Sequence, residues 1–414
     1  EFRIQTADGT VYRRSRTVST EPLPDYYPRV QLQRKLPEKI APGMIFMHLA
    51  HYDAEGDYHP LPSAVDRHGR VRWYYDGDIG HVLRRMENGN FLIQREDSLA
   101  EMDMLGRSTG RSITVDSGIH HDALVLPGGN FLVLTSAPDS FEDGVVEIDR
   151  ESGKVVRSWD FRDILDQERP RQPRNLEKKD WLHLNAVSYD PAGDNIVVSG
   201  RDQSAVVKVD RQSGELQGIL GNHRHWKEAF EPYLLAPRGE PFQWPWGQHA
   251  PMLHPEDPQR ILIYDNGNKR SYDKPLSPAE NYSRAVEYRI DRESMEIEQL
   301  WEYGRRYGSK RYTPFIGDAN YLPGGNRLVT FGGITRTLEG EPTEIFDWKN
   351  EKGKRMKISA RIVEVTGEMP AREGLTLVFR DPDPDSYRGY RCYRAVKQPL
   401  YPPQPASAAD PRAE

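Results

Sequence analysis

The sequence contains almost no cysteine, and this restricts the kinds of protein that it can encode. Cys392 is the single cysteine in 414 residues, so the chain can form no internal disulfide and no cysteine-rich metal site. No apolar run approaches the roughly 18 residues that a membrane-spanning helix needs. The chain begins at Glu1 without an apolar stretch of the signal-peptide kind, so we expect a mature or trimmed form.

Long blocks of one charge sign are also absent. The chain carries 57 Lys and Arg residues against 63 Asp and Glu residues, a formal net charge of −6. This balance argues against nucleic acid or an anionic membrane surface as the main partner. Glycine, proline and tyrosine are abundant, at 34, 32 and 21 residues, and this composition favours many short strands and turns over long helices.

One pattern of strands and turns returns along the chain. In its fullest form it is a Pro-x-Gly-Asn turn, an apolar strand, a second strand that ends in Asp, a glycine turn and a third strand. Clear copies are LPGGNFLVLT with GVVEIDRESGKVVRSWDF, and LPGGNRLVTFGG with ARIVEVTGE. We count six copies at a period of roughly 40 to 65 residues, and such repetition predicts an all-β fold, a six-bladed β-propeller.

The predicted propeller occupies residues 43–395, with the first blade near 43–80 and the sixth near 313–395. Residues 1–42 are polar and rich in proline, so we expect a short N-terminal arm or small extension there. Residues 396–414 are expected to form a C-terminal tail.

Two long insertions interrupt the repeats, at 161–181 and 226–246. Both are predicted to be lid loops that cover one end of the propeller. The second, WKEAFEPYLLAPRGEPFQWPW, is rich in aromatic residues and proline, which suits the rim of a pocket.

Polar side chains stand just ahead of the first strand in successive repeats. In the third to sixth repeats these residues are His120, His121, Asp122, His183, Asn185, Gln248, His249 and Thr313. The innermost strand of each blade lines the central channel, so residues at its start are expected to converge on the axis. His183 and Asn185 are two apart on a strand and face the same space, and Arg201 follows the next strand, across the turn from His183.

Converging histidines admit two chemical interpretations. Beside Arg201 they form a cationic cradle for an anionic group, in which one imidazole attacks as a nucleophile and the others stabilise a departing oxyanion. Without the arginine they would suit a metal, but a guanidinium beside a dication is unfavourable by Coulomb repulsion. We therefore favour the oxyanion site, with no metal and no cofactor. Asp122 is a possible metal ligand, so a metal-dependent lyase or oxygenase stays as an alternative. A non-catalytic propeller that binds proteins is the third possibility.

Several short motifs, in their order along the chain, resemble those of the bacterial arylsulfate sulfotransferases. They are HD-x-x-x-x-PGGN at His121, W-x-H-x-N at Trp181, S-x-R-x-Q-S at Ser199, GQHA at Gly247, YDNG at Tyr264 and the late SYRGYRCYRA. The resemblance covers roughly residues 60–400. It implies a six-bladed propeller that moves a sulfuryl group from a phenolic sulfate ester to a phenol, by a ping-pong mechanism and without an adenylyl-sulfate (PAPS) donor.

The resemblance also implies roles for individual residues. His249 is expected to be the nucleophile that becomes transiently sulfated, while His121, His183 and Arg201 bind the sulfate and aid the leaving phenolate. Asn185, Thr313 and His120 are the predicted substrate-binding residues. The lid residues Phe242, Trp244 and Trp246 are expected to supply a stacking wall for phenols.

The expected partners are small molecules, an aryl sulfate donor and a phenol acceptor, with no nucleic acid and no membrane span. The N-terminal segment is too short for the sizeable additional domain of the best-known members, so the oligomeric state is open, with a homodimer possible. The family resemblance implies a periplasmic location, and a cytoplasmic one is the alternative.

Overall fold

The computed structural model describes residues 2–5, 8, 10–14, 22–53, 57–171, 180–344, 356–381 and 389–401. Six sheets of four or five strands stand around a central axis, which confirms the predicted all-β, six-bladed propeller. Helices within these ranges are short. They are the α-helix α1 (Phe161–Ile164) and four 3₁₀ segments, Pro37–Lys39, Glu228–Tyr233, Arg305–Arg311 and Pro323–Gly325. In the same ranges no helix is long and apolar enough to cross a bilayer.

The strands are numbered β1 to β28 in chain order. Those before the second blade are β1 (Phe2–Gln5), β2 (Val11–Arg14), β3 (Gln31–Arg34), β4 (Met44–Tyr52), β5 (Tyr58–Val65) and β6 (Val71–Tyr74). The second blade holds β7 (Leu83–Arg85), β8 (Phe91–Arg95), β9 (Ser98–Met102) and β10 (Ile113–Thr114). The third holds β11 (Ala123–Val125), β12 (Phe131–Thr135), β13 (Gly144–Ile148) and β14 (Val155–Asp160).

The remaining blades follow the same plan. The fourth holds β15 (Leu184–Asp190), β16 (Asn195–Gly200), β17 (Ala205–Asp210) and β18 (Leu216–Gly221). The fifth holds β19 (Ala236–Arg238), β20 (His249–His254), β21 (Asp257–Asp265), β22 (Arg284–Asp291) and β23 (Glu296–Tyr303). The sixth holds β24 (Asp318–Tyr321), β25 (Arg327–Arg336), β26 (Lys357–Val365) and β27 (Glu373–Phe379), and the last strand is β28 (Gly389–Gln398).

The two ends of the chain close the ring. Strand β28 pairs with β4, with Cys392 opposite Leu49, and so becomes the innermost strand of the first blade. Strand β3 pairs with β27 at the outer edge of the sixth blade. The prediction that the sixth blade runs to residue 395 is therefore wrong, because β28 belongs to the first blade and continues to Gln398. Hydrogen bonds between the first and last parts of the chain close the ring, and repeat boundaries drawn along the sequence miss such pairing.

The apolar core consists of six clusters, one at each contact between neighbouring blades. Between the third and fourth blades, for example, Leu132 and Leu134 pack with Val198 and Val207, all of them inaccessible to solvent. Each sheet therefore buries both of its faces, which explains why its strands read as continuous apolar runs. This packing holds the six innermost strands (β28, β7, β11, β15, β20 and β24) around the channel.

The insertion at 226–246 does not place its aromatic residues where the sequence predicted. Strand β19 adds to the fifth blade by parallel pairing with β23. Phe242 contacts Trp244 and Tyr288 at ring-centroid distances of 4.8 and 5.7 Å, and both Phe242 and Trp244 pack on the apolar cluster between the fourth and fifth blades. The predicted phenol-stacking wall is wrong for these two residues, because burying their rings against a neighbouring blade removes more apolar area from water than an open rim position would.

Candidate active site

Histidines gather at the mouth of the channel where the innermost strands begin. The rings of His121 and His183 are 4.8 Å apart, edge to face, and His81 stacks on His121 at 5.2 Å with an angle of 9° between the rings. His249 begins β20 in the fifth blade and is close enough to His121 to lower its pKa electrostatically. Blades two to five thus each contribute one imidazole to the same region.

The backbone is strained where these histidines stand. His121 and His183 adopt φ values of 52° and 54°, and Ala250, next to His249, adopts 50°. Such left-handed conformations are uncommon for residues with a side chain, cost about 1–3 kcal/mol each, and concentrate at functional sites. Bulges after Leu184 and after His249 accompany them. The strain re-aims the side chains at three equivalent strand starts, which is consistent with a shared ligand.

Asn266 orients His249. The Nδ2 of Asn266 donates to the carbonyl oxygens of Thr313 and Ile316, both at 2.8 Å, so the amide oxygen must face the other way. That oxygen lies 2.7 Å from Nδ1 of His249. Because an amide oxygen can only accept, Nδ1 carries the hydrogen, and the neutral ring holds its lone pair on Nε2.

A second hydrogen-bond chain orients His121. The Nε2 of His120 lies 2.8 Å from the carbonyl oxygen of Thr135 and must donate to it, while Nδ1 of His120 lies 3.1 Å from Nδ1 of His121. Burial, reinforced by the neighbouring His183, holds the pKa of His121 well below its usual value, and burial also lowers that of His120. Both rings are therefore neutral, His121 donates from Nδ1, and its Nε2 keeps a lone pair.

His183 is in the opposite state. Its Nδ1 lies 2.6 Å from Oε2 of Glu142 and 2.8 Å from Oδ2 of Asp180, and both carboxylates are buried. Burial opposes the charged form, but these two anions outweigh it and raise the pKa of His183 to about 10. His183 is thus an imidazolium at neutral pH, and its Nε2 is a hydrogen-bond donor. His183 therefore supplies a positive charge beside His121, whose Nε2 keeps a lone pair.

Arg201 lies inside the protein with 2% of its surface exposed, so it does not point to solvent. Its backbone N–H donates to the carbonyl oxygen of His183 at 3.1 Å. Its guanidinium donates to the carbonyl oxygen of Pro314 at 3.0 Å and to Oδ1 of Asp202 at 3.2 Å. The side chain therefore extends from the fourth blade towards the loop that precedes β24, and adds a fixed cation to the region of His183.

The motif around Arg201 is locked to the motif around His249. Gln248 donates from Nε2 to the hydroxyl of Ser199 and to two backbone carbonyls, and the hydroxyl of Ser204 accepts the N–H of Gly247. Asn185 donates to the carbonyl oxygen of Gln248 at 2.8 Å. Gly247 has φ of 59°, and a Cβ there would lie 2.1 Å from Oδ1 of Asn268, so only glycine fits. These bonds fix the fourth blade against the fifth beside the histidines.

The predicted substrate-binding residues are placed differently from one another. His120 lies beside His121, and Asn185 is fully buried with an amide oxygen that accepts no hydrogen bond from any described residue. Thr313 is fully buried. Its carbonyl oxygen accepts a hydrogen bond from Asn266, and its hydroxyl donates to the carbonyl oxygen of Arg311. The roles of these residues in binding substrate stay predictions.

Four other histidines have their contacts elsewhere. His68 contacts Arg34, His223 and His225 contact Trp244 and Tyr272, and His254 contacts Tyr321. The predicted convergence of His121, His183, Arg201 and His249 on a single sulfate stays a prediction.

Asp122 does not face a metal site. It receives hydrogen bonds from Nε and Nη2 of Arg84, from the N–H of Val187 at 3.0 Å, and contacts Nη2 of Arg394 at 2.8 Å. Burial works against its charge, but Arg394 and Arg84 outweigh it and hold the pKa of Asp122 below its usual value. Its oxygens are thus committed to an ion network in the channel, and the suggestion of Asp122 as a metal ligand is wrong.

Replacing Asp122 by alanine should destabilise the propeller by about 3–5 kcal/mol, because the guanidinium of Arg394 stays buried without its partner. The measurement is urea-induced unfolding followed by tryptophan fluorescence. Asp103→Ala is the matched control, since it removes an exposed carboxylate from its pair with Arg107 and should change stability little. Equal midpoints for the two variants would contradict a structural role of the channel network.

Among the residues that the structure describes, two overlapping groups of side chains could hold a metal ion. They are His120 with His121 and Glu142, and Glu142 with Asp180 and His183, and in each group the ligand atoms lie within 4.8 Å of one another. A metal bound at Nδ1 would have to displace the proton of His183 that is hydrogen-bonded to Asp180 and lies beside Glu142. The groups therefore keep the metal-dependent alternative open, with the predicted histidines beside Glu142 and Asp180 instead of Asp122.

The sequence interpretation missed several residues of this region. His81 stands nine residues before Asn90, as His121 stands nine residues before Asn130, so the repeat alignment contains a signal for it. Tyr393, in the late SYRGYRCYRA motif, lies with its ring 5.1 Å from that of His81. Glu142, in contrast, lies in a loop of the third blade and shows no motif that marks it.

Comparison with known proteins identifies the family. The family model for arylsulfotransferase (ASST) matches residues 29–371, most of the chain. The chain belongs to the arylsulfotransferase family. The predicted resemblance is thus confirmed, and the histidine-lined mouth is the candidate active site of an arylsulfotransferase family member.

Curated relatives agree with this assignment. The chain is 26% identical over 363 residues to the arylsulfate sulfotransferase AssT of Escherichia coli and 24% identical to that of Lelliottia amnigena, in each case covering 69% of this chain and 60% of the relative. It thus spans about three fifths of the length of these relatives. Among solved structures, a virginiamycin B lyase from Staphylococcus aureus is 12% identical with a TM-score of 0.40, covering 83% of this chain and 88% of that one.

Proposed function

We propose that this protein moves a sulfuryl group from an aryl sulfate ester to a phenol, without a PAPS donor, through a sulfohistidine at His249. The observation that carries the proposal is the arrangement of hydrogen bonds and charges around the three histidines of the site: Asn266 directs Nε2 of a neutral His249 away from itself, and two carboxylates charge His183. His249 and His121 each offer a lone pair on Nε2, and His183 offers a positive charge. Nucleophile, base and oxyanion stabiliser are the three groups that such a transfer requires.

In the first half-reaction, Nε2 of His249 attacks the sulfur of the donor. The N–S bond forms as the bond between sulfur and the aryl oxygen breaks, and the electron pair leaves on the phenolate. The imidazolium of His183 and the guanidinium of Arg201 neutralise the sulfuryl oxygens and the departing oxyanion. A phenolate is a good enough leaving group that charge stabilisation suffices, without a strong acid.

In the second half-reaction, an acceptor phenol takes the place of the product. The Nε2 lone pair of His121 accepts the hydroxyl proton, the phenolate oxygen attacks sulfur, and the N–S bond breaks so that its electron pair returns to His249. A base with a low pKa accepts this proton only as the oxygen attacks, which couples proton transfer to sulfuryl transfer. His121 loses the proton to solvent before the next cycle.

The test is the release of para-nitrophenol from para-nitrophenyl sulfate, with and without added phenol. We expect slow release with donor alone and a rate that rises with phenol concentration, accompanied by one equivalent of sulfated phenol per turnover. Parallel lines in double-reciprocal plots would support the ping-pong cycle. Release that does not depend on phenol would indicate hydrolysis, and no release from any aryl sulfate would favour a binding module.

Arg201→Lys should weaken donor binding by about 1–3 kcal/mol, which raises KM for the donor roughly 5- to 150-fold, because lysine keeps the charge but loses the planar fork. The measurement is steady-state kinetics with varied donor at saturating phenol. Arg211→Lys is the control, since Arg211 pairs with Asp194 in the turn after β15, at the end of this strand opposite to His183. An unchanged donor KM in Arg201→Lys would contradict contact with the sulfuryl group.

A metal-dependent enzyme is the second candidate, favoured by the two groups that share Glu142. Elemental analysis of the purified protein, followed by the assay before and after dialysis against a chelator, distinguishes the two. A stoichiometric metal whose removal abolishes turnover would replace the sulfohistidine proposal. Full activity after chelation would contradict the metal-dependent alternative.

The periplasmic location and a homodimer are further proposals, both supported only by the family resemblance. Cell fractionation and light scattering of the purified protein test them directly.

A further inference from the structure

Arg391 is a half-buried cation at the same mouth of the channel. It lies two residues before Tyr393 on β28, the innermost strand, and its guanidinium lies over Tyr52 and Tyr58 of the same blade. The ring of Tyr393 contacts His81 and His121 at 5.1 and 6.3 Å. Each innermost strand begins at the histidine-lined mouth, so the strand rise places Arg391 about 7 Å further out than Tyr393. This distance is about the length of a phenol ring, so a phenol that extends outwards from the histidines could bring its para substituent to Arg391.

The charge of Arg391 has no anionic partner in the part of the chain that the structure describes. Its guanidinium lies 4.6 Å from the ring of Tyr58 and 5.4 Å from that of Tyr52, and its Nε is buried without a hydrogen-bond partner. Two further arginines beside the channel, Arg84 and Arg394, are both paired with Asp122. The charge reaches the site, because Arg391 contributes to lowering the pKa of His81 after burial itself.

A cation in this position fits an anionic ligand. A half-buried guanidinium has lost part of its hydration, and stacking on tyrosine restores only about 0.5–2 kcal/mol. Its planar fork matches a carboxylate, which it can bind with two parallel hydrogen bonds. Tyr58 is 36% exposed, so an aromatic surface beside the cation is open to a ligand ring.

We propose that Arg391 binds a carboxylate on the acceptor, so that the acceptors of this protein are phenols with an acidic para substituent. Tyr52 and Tyr58 flank the acceptor, and Arg391 determines specificity without touching the sulfuryl group. This inference rests on the proposed function, whose site supplies the other end of the acceptor.

The test compares para-hydroxyphenylacetate with para-hydroxyphenylacetamide, which has the same size and a similar phenol but no charge. With para-nitrophenyl sulfate as donor, we expect kcat/KM to favour the carboxylate at least tenfold in the unmodified protein. Arg391→Met should remove this preference by slowing the carboxylate while leaving the amide unchanged, and Arg391→Lys should keep part of it. Arg67→Met, at an exposed turn of the first blade where Arg67 donates to the carbonyl oxygen of Pro37, is the control and should behave as the unmodified protein.

Equal losses for both acceptors in Arg391→Met would overturn the proposal in favour of a structural cation–π role, and so would an unchanged preference. Calorimetric binding of para-hydroxyphenylacetate, without donor, separates this inference from the proposed function. If no phenol is sulfated, the proposed function fails, yet binding that is at least tenfold weaker in Arg391→Met still supports the carboxylate site. Equal binding by the two proteins overturns it.

Discussion

Replacing His249 with alanine is expected to abolish both cleavage of the donor and sulfation of the acceptor. The covalent step is common to both halves of the cycle, so kcat should fall by a factor on the order of 10⁴ or more for each. Donor binding should survive, because the cations of His183 and Arg201 remain. The measurements are release of para-nitrophenol, formation of sulfated phenol, and equilibrium binding of the donor to the variant.

His254→Ala is the matched control, because His254 ends the same strand and its ring contacts Tyr321 away from the channel. It should keep nearly full activity. The unmodified protein incubated with donor alone should carry an acid-labile sulfuryl group on the peptide that contains His249, detected by mass spectrometry. Turnover by His249→Ala at a rate near that of the unmodified protein would mean that His121, His183 or water attacks the sulfur.

Replacing both Glu142 and Asp180 by their amides should make activity at pH 8 fall about 30-fold or more. With a pKa of about 10, His183 is about 99% protonated at pH 8, whereas at its ordinary pKa of 6.5 only about 3% is protonated, and burial lowers this further. Activity should recover as the pH is lowered towards 6, which a merely structural defect would not produce. The measurement is kcat/KM for the donor between pH 5 and pH 10.

The free energy of unfolding should also fall at alkaline pH, where His183 loses its charge. The pKa of His183 is raised on folding, so its contribution to stability is complete below about pH 6.5 and is lost as the pH rises through about 10. The amide variant should lack this alkaline loss. Glu368→Gln, which removes an exposed carboxylate paired with Arg372, is the control. A double variant with the pH profile of the unmodified protein would show that the carboxylates do not charge His183.

The family motifs placed the principal residues of the site but not their chemical states. His121, His183, Arg201 and His249 were all found at strand starts or strand ends by the repeat pattern, and YDNG at Tyr264 already contained Asn266. The sequence could not show that Asn266 fixes the tautomer of His249, because this depends on two carbonyl oxygens in the sixth blade. The aromatic insertion was misjudged for a similar reason, since Phe242 and Trp244 pack on the cluster between two blades.

The sequence by itself determined the class of fold, the number of blades and the family. The fold class and the number of blades follow from the alternation of apolar strands with glycine and asparagine turns, which each blade repeats, and the family follows from the resemblance of its short motifs. Only the tertiary structure decided which strand closes the ring, which ring nitrogens carry protons, and that Glu142 and Asp180 both lie beside Nδ1 of His183. Hydrogen bonds and charge interactions act through distances in space, and in a buried site with a low dielectric they determine the protonation of residues that lie far apart in the chain.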